Sequence, residues 1–317
     1  MIIDLFGSSD FCLPTAEALL KAGYELRLVT TMPPASHKSR VEYVNPVKEF
    51  AAAHERPVAE IRSSTNLEQF YGQWAPPACA IVASFGRIIP RALLDIPEKK
   101  ILNIHPSLLP RHRGPSPVQS TILSGDQKTG VTIILLDHQI DHGPILAVQE
   151  TAVQPQETAA ELKRRLSIMG AELMIPTLKD WIDGSITPTP QDDSQSTMSH
   201  KIQKEDGRVD WNQPAPVIAG QWRAFTPWPG IWTTLNDAQG NTEIIKLFDI
   251  TVLEAKPEDN RNKPGTIVAA EAQRQLVIQA GNYTQLSCGS IQRSGKKRMS
   301  IVAFLQGYPE LIGKRFE

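Results

Sequence analysis

The chain has 317 residues, 33 Lys and Arg against 34 Asp and Glu, and 41% hydrophobic residues. That length sets an expectation of about two domains, each able to bury its own core, and the composition excludes a disordered or fibrous chain. No apolar run reaches the ~18 residues a membrane-spanning helix needs, and a net charge of −1 gives no overall pull toward nucleic acid.

The opening Met1-Ile-Ile-Asp-Leu-Phe-Gly has no basic start and carries Asp4 in its apolar stretch, unlike a secretory signal. Cys12, Cys79 and Cys288 are widely spaced with no CxxC pair, which suits a reducing cytoplasm and neither a disulfide framework nor a zinc knuckle.

In chain order, Ile2–Phe6 reads as a short strand ending at Gly7, followed by a helix over 13–22 with Pro14 near its start and Gly23 past its end. A strand over 26–30, a helix over 46–53, buried strands over 78–84 and 101–105, a helix over 116–124, a strand over 131–136 and a long helix over 158–182 follow. This alternation predicts an α/β, Rossmann-like domain over residues 1–182, with a mostly parallel sheet covered on both faces. Residues 183–200 are rich in Ser, Thr, Pro and Asp, so 183–202 reads as a linker. Short strands over 230–235, 243–252, 265–269, 275–279 and 285–291 then predict a small β-barrel or sandwich over 203–317.

Residues 101–146 carry the chemistry. Asn103 and His105 lie two apart at the end of a buried strand, so their side chains share a face. Ligands of open α/β sheets bind at that carboxyl end. Pro106 stops the strand, and Ser107-Leu108-Leu109-Pro110 makes a stiff loop before Arg111-His112-Arg113-Gly114. Further on, Asp137 and Asp141 flank a tight connection closed by Gly143-Pro144. An amide beside an imidazole donates hydrogen bonds to an oxygen gaining negative charge, and a nearby carboxylate orients the imidazole and takes part in proton transfer. That is equipment for acyl transfer without a covalent intermediate, in which one such donor is worth ~2.7–4 kcal/mol of barrier. His138 and His142 have a spacing that would suit a metal on a helix, but Gly143-Pro144 breaks any helix there, so no metal is expected. Gly7-Ser8-Ser9-Asp10-Phe11 lacks the second and third glycines of a dinucleotide fingerprint. The residues alone give an α/β enzyme with group transfer open.

Asn103-Ile-His105-Pro-Ser-Leu-Leu-Pro110, Arg113-Gly114 and Asp141-x-Gly143 resemble the signature of the formyltransferases that use 10-formyltetrahydrofolate. Phe6-Gly7-Ser8-x-x-Phe11 resembles that family's first strand and turn, and Ala83-Ser-Phe-Gly86-Arg-Ile-Ile-Pro90 its folate-pocket strand and loop. Gly125-Asp126-x-x-Thr129-Gly130 resembles the approach to its catalytic Asp. Arg208-Val-Asp210-Trp211, Arg223-Ala-Phe225-x-Pro-Trp228-Pro-Gly230-x-Trp232, Pro264-Gly265-Thr and Gly295-Lys296-Lys297-Arg298-Met299-Ser300 are similar to the C-terminal domain of the family's methionyl-tRNA branch. The resemblance implies that Asn103 and His105 polarise the formyl oxygen while Asp141 holds His105 and relays protons. It implies a folate cleft along Ser107, Leu108, Leu109, Pro110, Phe85, Gly86 and Ile88, with Asp137 at the pterin, and an OB-type barrel behind. The implied substrates are 10-formyltetrahydrofolate and initiator methionyl-tRNA, handled in the cytoplasm by a monomer with no membrane partner. Transfer to a nucleotide-linked amino sugar, or hydrolysis of the formyl-folate, are the alternatives.

The family's basic, glycine-containing acceptor-arm loop is replaced here by Thr31-Met-Pro-Pro-Ala-Ser-His37-Lys38-Ser39-Arg40-Val-Glu42, which keeps two cations and a histidine. Residues 1–200 carry a net −4 and 201–317 a net +3. The near-zero total therefore hides local fields, and tRNA contact is expected at patches such as Lys38 and Arg40, Lys163-Arg-Arg165, or Lys296, Lys297 and Arg298.

Overall fold

The computed structural model describes residues 1–31, 44–62, 74–236, 240–254, 262–271, 275–308 and 311–317. They form two compact units. The first comprises 1–121, 127–153 and 161–201, the second 122–126, 154–160 and 202–317.

The first unit is built on a seven-stranded sheet. Its strands are β1 (Ile2–Phe6), β2 (Glu25–Thr31), β3 (Val58–Ile61), β4 (Cys79–Val82), β5 (Ile101–His105), β6 (Lys128–Leu135) and β7 (Ile145–Ala152), in the order β3-β2-β1-β4-β5-β6-β7. The first five are parallel; β6 and β7 run antiparallel on one edge. Helices α1 (Leu13–Lys21), α2 (Pro46–Ala53), α3 (Pro117–Leu123) and α4 (Ala159–Ile182) follow the expected alternation. Strands β1, β4 and β5 are buried almost throughout and mostly apolar, because burial on both faces leaves no solvent side to alternate toward; their polar members, Asp4, Asn103 and His105, are buried with partners. Helix α4 brings Gly170 against Ile104 of β5 and Val131 of β6, which fixes the strand that carries the candidate site.

Asp4 lies fully buried in β1. Arg27 of β2 answers it with bonds of 2.6 and 2.9 Å and also lies 4.8 Å from the Trp74 ring. The pair is thus hydrogen-bonded on both carboxylate oxygens, as a buried charge requires. The three thiols are buried, and burial pushes each up to about 12, which makes them inert packing groups.

Residues 183–201, with the composition of a linker, run over the first unit as a strap. Thr189 exchanges two backbone bonds with Ile145, and Arg113 exchanges two more with Thr197 and Ser199. Side chains and backbone, not an apolar stripe, hold this segment, which is why its polar composition does not announce its place.

The second unit carries α5 (Ala215–Phe225) and an antiparallel sheet of β8 (Ile231–Asn236), β9 (Thr242–Leu253), β10 (Ile267–Glu271), β11 (Gln275–Gln279), β12 (Gln285–Arg293) and β13 (Met299–Ser300), followed by α6 (Ile301–Gly307). The main path is β10-β11-β12-β9-β8, with β13 on β12. Residues 313–317 bond to both of its edges. Thr234 of β8 and Glu317 exchange bonds of 3.0 and 2.9 Å, while the Phe316 N–H donates to Gly265 and the Ile267 N–H to Lys314, each at 2.9 Å. Closure of this kind removes exposed strand edges, and the result is the expected small barrel. Phe316 is fully buried and stacks on Trp211 with ring centroids 5.9 Å apart. Among the described residues no helix is long and apolar enough to cross a membrane.

Candidate active site

Asn103 and His105 project from β5, paired in register with Ile134 and Thr132 of β6. Both are buried, at 8% and 4% exposure. Beyond β5 the chain turns at once: the Ser107 N–H donates to the His105 carbonyl at 2.9 Å and Ser107 Oγ to the Arg111 carbonyl at 2.7 Å. Thr132 Oγ1 then clamps the loop, donating to the Ser107 carbonyl at 2.7 Å and accepting from the Leu109 N–H at 3.1 Å. The loop is thereby held by the protein's own hydrogen bonds.

Asp141 comes from the connection between β6 and β7, at φ +49°. Its Oδ1 accepts from Asn103 Nδ2 at 3.2 Å and lies 3.5 Å from His105 Nδ1, while Oδ2 accepts from the Gly114 N–H at 2.8 Å. The structure therefore brings Asn103, His105 and Asp141 together from two segments. It also adds partners with no side-chain signature in the sequence. His105 Nε2 lies 3.0 Å from the His112 carbonyl, and a carbonyl only accepts, so that nitrogen carries a hydrogen. The imidazole is thus oriented from both sides, by the His112 carbonyl at Nε2 and by the Asp141 carboxylate facing Nδ1.

The residues expected along the folate cleft divide into two sets. Ser107 and Leu109 are buried, and Leu108 and Pro110 half-buried, in the clamped loop. Phe85 is buried in the core, edge-on to Phe6 at 5.2 Å, and its carbonyl accepts from Ser8 Oγ at 2.9 Å. Phe85 thus anchors the segment from within. Gly86 and Ile88 stand outside it, Ile88 at 77% exposure. Asp137 Oδ1 accepts from the Gln139 N–H at 2.8 Å, and Oδ2 lies 2.6 Å from His142 Nδ1.

His142 Nε2 faces Asp193 Oδ2 at 3.5 Å, and Asp193 is itself bound by Arg113 at 2.8 Å. The hydrogen bond to Asp137, aided by both carboxylate charges, raises the His142 pKa above its ordinary 6.5. A histidine with a raised folded pKa contributes stability that is complete below its unfolded value and is lost as pH rises through the folded one. Thermal unfolding of His142→Ala against the wild type is therefore expected to show a larger deficit in mildly acidic than in alkaline solution. An equal deficit at both would show that the charge has no part in it. Among the described residues no group of three or more His, Cys, Asp and Glu side chains is placed to hold a metal ion.

Of the basic residues singled out, Lys38 and Arg40 lie outside the described residues. Lys296 and Lys297 are exposed in the turn between β12 and β13. Arg298 is differently placed. It bonds to Asp249 and, at 2.6 Å, to Ser290 Oγ, and it covers the Phe248 ring at 4.4 Å. Its charge is committed within the domain.

Comparison with known proteins agrees with this architecture. The formyl transferase family matches residues 4–178, and the formyl transferase C-terminal domain matches 201–309. Methionyl-tRNA formyltransferases of Acidobacterium capsulatum, Chloroflexus aurantiacus and Staphylococcus epidermidis are 39%, 38% and 33% identical to it. Those alignments cover 95%, 97% and 98% of this chain and 94%, 97% and 98% of the relatives. Among solved structures, an N-formyltransferase from Helicobacter canadensis in complex with folinic acid and dTDP-3-aminofucose superposes with a TM-score of 0.65, at 17% identity over 91% of this chain and 99% of that one. HypX from Aquifex aeolicus in complex with tetrahydrofolic acid gives 0.63, at 17% identity over 99% of this chain and 48% of that one. At such identities the structural likenesses show the fold alone. The chain belongs to the formyltransferase family, and it shares nearly its whole length with methionyl-tRNA formyltransferases.

Proposed function

We propose that this protein transfers the formyl group of 10-formyltetrahydrofolate to the amino group of methionine on initiator methionyl-tRNA, giving formyl-methionyl-tRNA for translation initiation. The observation that carries the reading is the convergence of Asn103, His105 and Asp141 at the end of β5 in a chain collinear with methionyl-tRNA formyltransferases. Asn103 supplies an amide donor to the formyl oxygen as the amine attacks. His105 stands beside the same oxygen as a second polarising group, Asp141 receives the proton the amine must shed, and that proton passes to the folate nitrogen as its bond to the formyl carbon breaks. The clamped Ser107–Pro110 loop, with Phe85, Gly86, Ile88 and Asp137, would hold the folate. In this reading the protein acts as a monomer, in the cytoplasm where charged initiator tRNA is used.

In this reading residues 1–182 perform the transfer, 203–317 form the OB-like domain that meets the tRNA, and 183–202 join them. OB folds commonly take oligonucleotides. The test is incubation with formyl-folate and charged initiator tRNA, scored for formyl-methionyl product, beside arms with no acceptor and with a nucleotide-linked amino sugar. Product on the tRNA and no turnover without it are expected. Turnover with the sugar alone, or equal turnover with water, would overturn the reading. The tRNA affinity should fall with salt, and neutralising Lys296 and Lys297 should make that slope shallower by about 0.7–0.9 for each phosphate they pair with. Lys38 and Arg40 are tested in the same way. Arg298→Ala should leave the slope unchanged, because Asp249 already balances that charge.

A further inference from the structure

The strap over the first unit reaches the candidate site through one side chain. Gln191 Nε2 donates to the Asp141 carbonyl at 2.9 Å and to the Gly143 carbonyl at 2.8 Å. Its Oε1 is held in turn by Arg113, whose Nε and Nη2 lie at 3.1 and 2.8 Å. Arg113 is 7% exposed and fixed at its own backbone by Thr197 and Ser199, and its Nη2 also bonds to Asp193. Two residues before Gln191, Thr189 is paired with Ile145, the first residue of β7. The amide is thus spent completely, with both N–H bonds on the catalytic connection and its oxygen on a buried guanidinium.

We propose that Gln191 is a positioning residue, one that holds Asp141 in register with Asn103 and His105. Asp141 sits in the left-handed region at φ +49°, where an aspartate is tolerated but not strongly preferred. Its carboxylate is aimed by Asn103, His105 and Gly114, but its main chain needs a separate restraint. The two carbonyls bound by Gln191 bracket the residue on its C-terminal side, so their fixed direction sets the peptide planes from Asp141 to Gly143. A donor with two hydrogens 2.8–2.9 Å from two carbonyls provides that restraint, and an Arg fork on its oxygen keeps the amide from flipping. The segment that joins the two units is thereby also a structural part of the reacting site.

The proposal rests on the formyl-transfer reading, and a double-mutant cycle separates the two. Gln191→Glu keeps the size and the bonds to Arg113 but replaces both donors with an acceptor; Gln191→Met removes all four bonds and serves if the first variant does not fold. With formyl-folate and methionyl-tRNA, either variant is expected to lower kcat about tenfold, with KM for both substrates within about twofold. In an Asp141→Asn background the same change should lower kcat by less than about twofold, because its effect runs through Asp141. An undiminished loss in that background, or a loss confined to KM, would overturn the positioning role while leaving the transfer reading intact. A wild-type rate for Asp141→Asn alone would remove the reading, and the proposal with it.

Discussion

Asn103→Ala is expected to lower kcat for formyl transfer at least ~100-fold, and His105→Ala by no less, with substrate KM values changed only a few-fold. The two effects that compete in such variants are separable by size. Losing the Asn103 bond to Asp141 leaves a half-buried carboxylate short of one donor, which costs the fold at most ~1–3 kcal/mol. Losing a donor aimed at an oxygen that gains charge costs ~2.7–4 kcal/mol of barrier, and none of that appears in thermal unfolding. A rate loss far larger than the stability loss, measured on the same preparation, identifies the donor role. Asn103→Asp sharpens it. The side chain keeps its size but sets a carboxylate against Asp141 Oδ1, so the rate should fall at least as far as in the alanine variant. Near-normal turnover by Asn103→Ala or His105→Ala would refute the arrangement.

Much of this site is legible in the chain because one strand carries it. Ile101–His105 is an apolar run whose alternation puts Asn103 and His105 on a common face, and Pro106 announces its end. Asp141 is legible through the Gly143-Pro144 closure that keeps its loop short. The parallel strands β1, β2, β4 and β5 announce themselves because burial leaves few solvent-facing positions, whereas the parallel edge strand β3, half-buried over 58–60, does not. Nor does strand β7. It lies at the sheet edge, its second half is Gln-Glu-Thr-Ala, and four of its eight residues are exposed, so apolar patterning cannot mark it.

What stays hidden is held by backbone groups and by long-range charge. The Gly114 N–H and the His112 carbonyl complete the site, yet any residue type carries such groups. The strap reads as a linker because Thr189, Gln191, Asp193, Thr197 and Ser199 bind through polar groups, with no apolar stripe to mark them. Arg298 reads as part of a basic run because Asp249, which balances it, lies 49 positions away in the chain. In each case the missing information is a pairing across distance, which composition and spacing do not encode.

Gly143→Ala tests how tightly that hidden framework holds the reacting carboxylate. A Cβ on Gly143 would stand 1.7 Å from the Leu135 carbonyl oxygen and 2.9 Å from its carbon. Both atoms belong to the backbone at the end of β6, whose Leu135 N–H is bonded to the Pro144 carbonyl at 3.0 Å. No side chain can rotate aside, so the connection itself must move. Overpacking of this kind costs ~1–3 kcal/mol of stability. The functional cost is expected to be larger. Asp141 is two residues away and held from both sides, by Asn103, His105 and Gly114 at its carboxylate and by Gln191 at its carbonyl. A misplacement of about 1 Å in a reacting group costs ~100-fold in rate, so kcat should fall by at least that factor along with a lowered thermal midpoint. Gly184→Ala supplies the contrast: its φ of +74° strains an alanine, but open space surrounds it, and the site is not touched. That variant should lose stability and keep its kcat. If Gly143→Ala also kept its kcat, close packing of the β6–β7 connection would not be what places Asp141, and the restraint would have to come from the side-chain bonds alone.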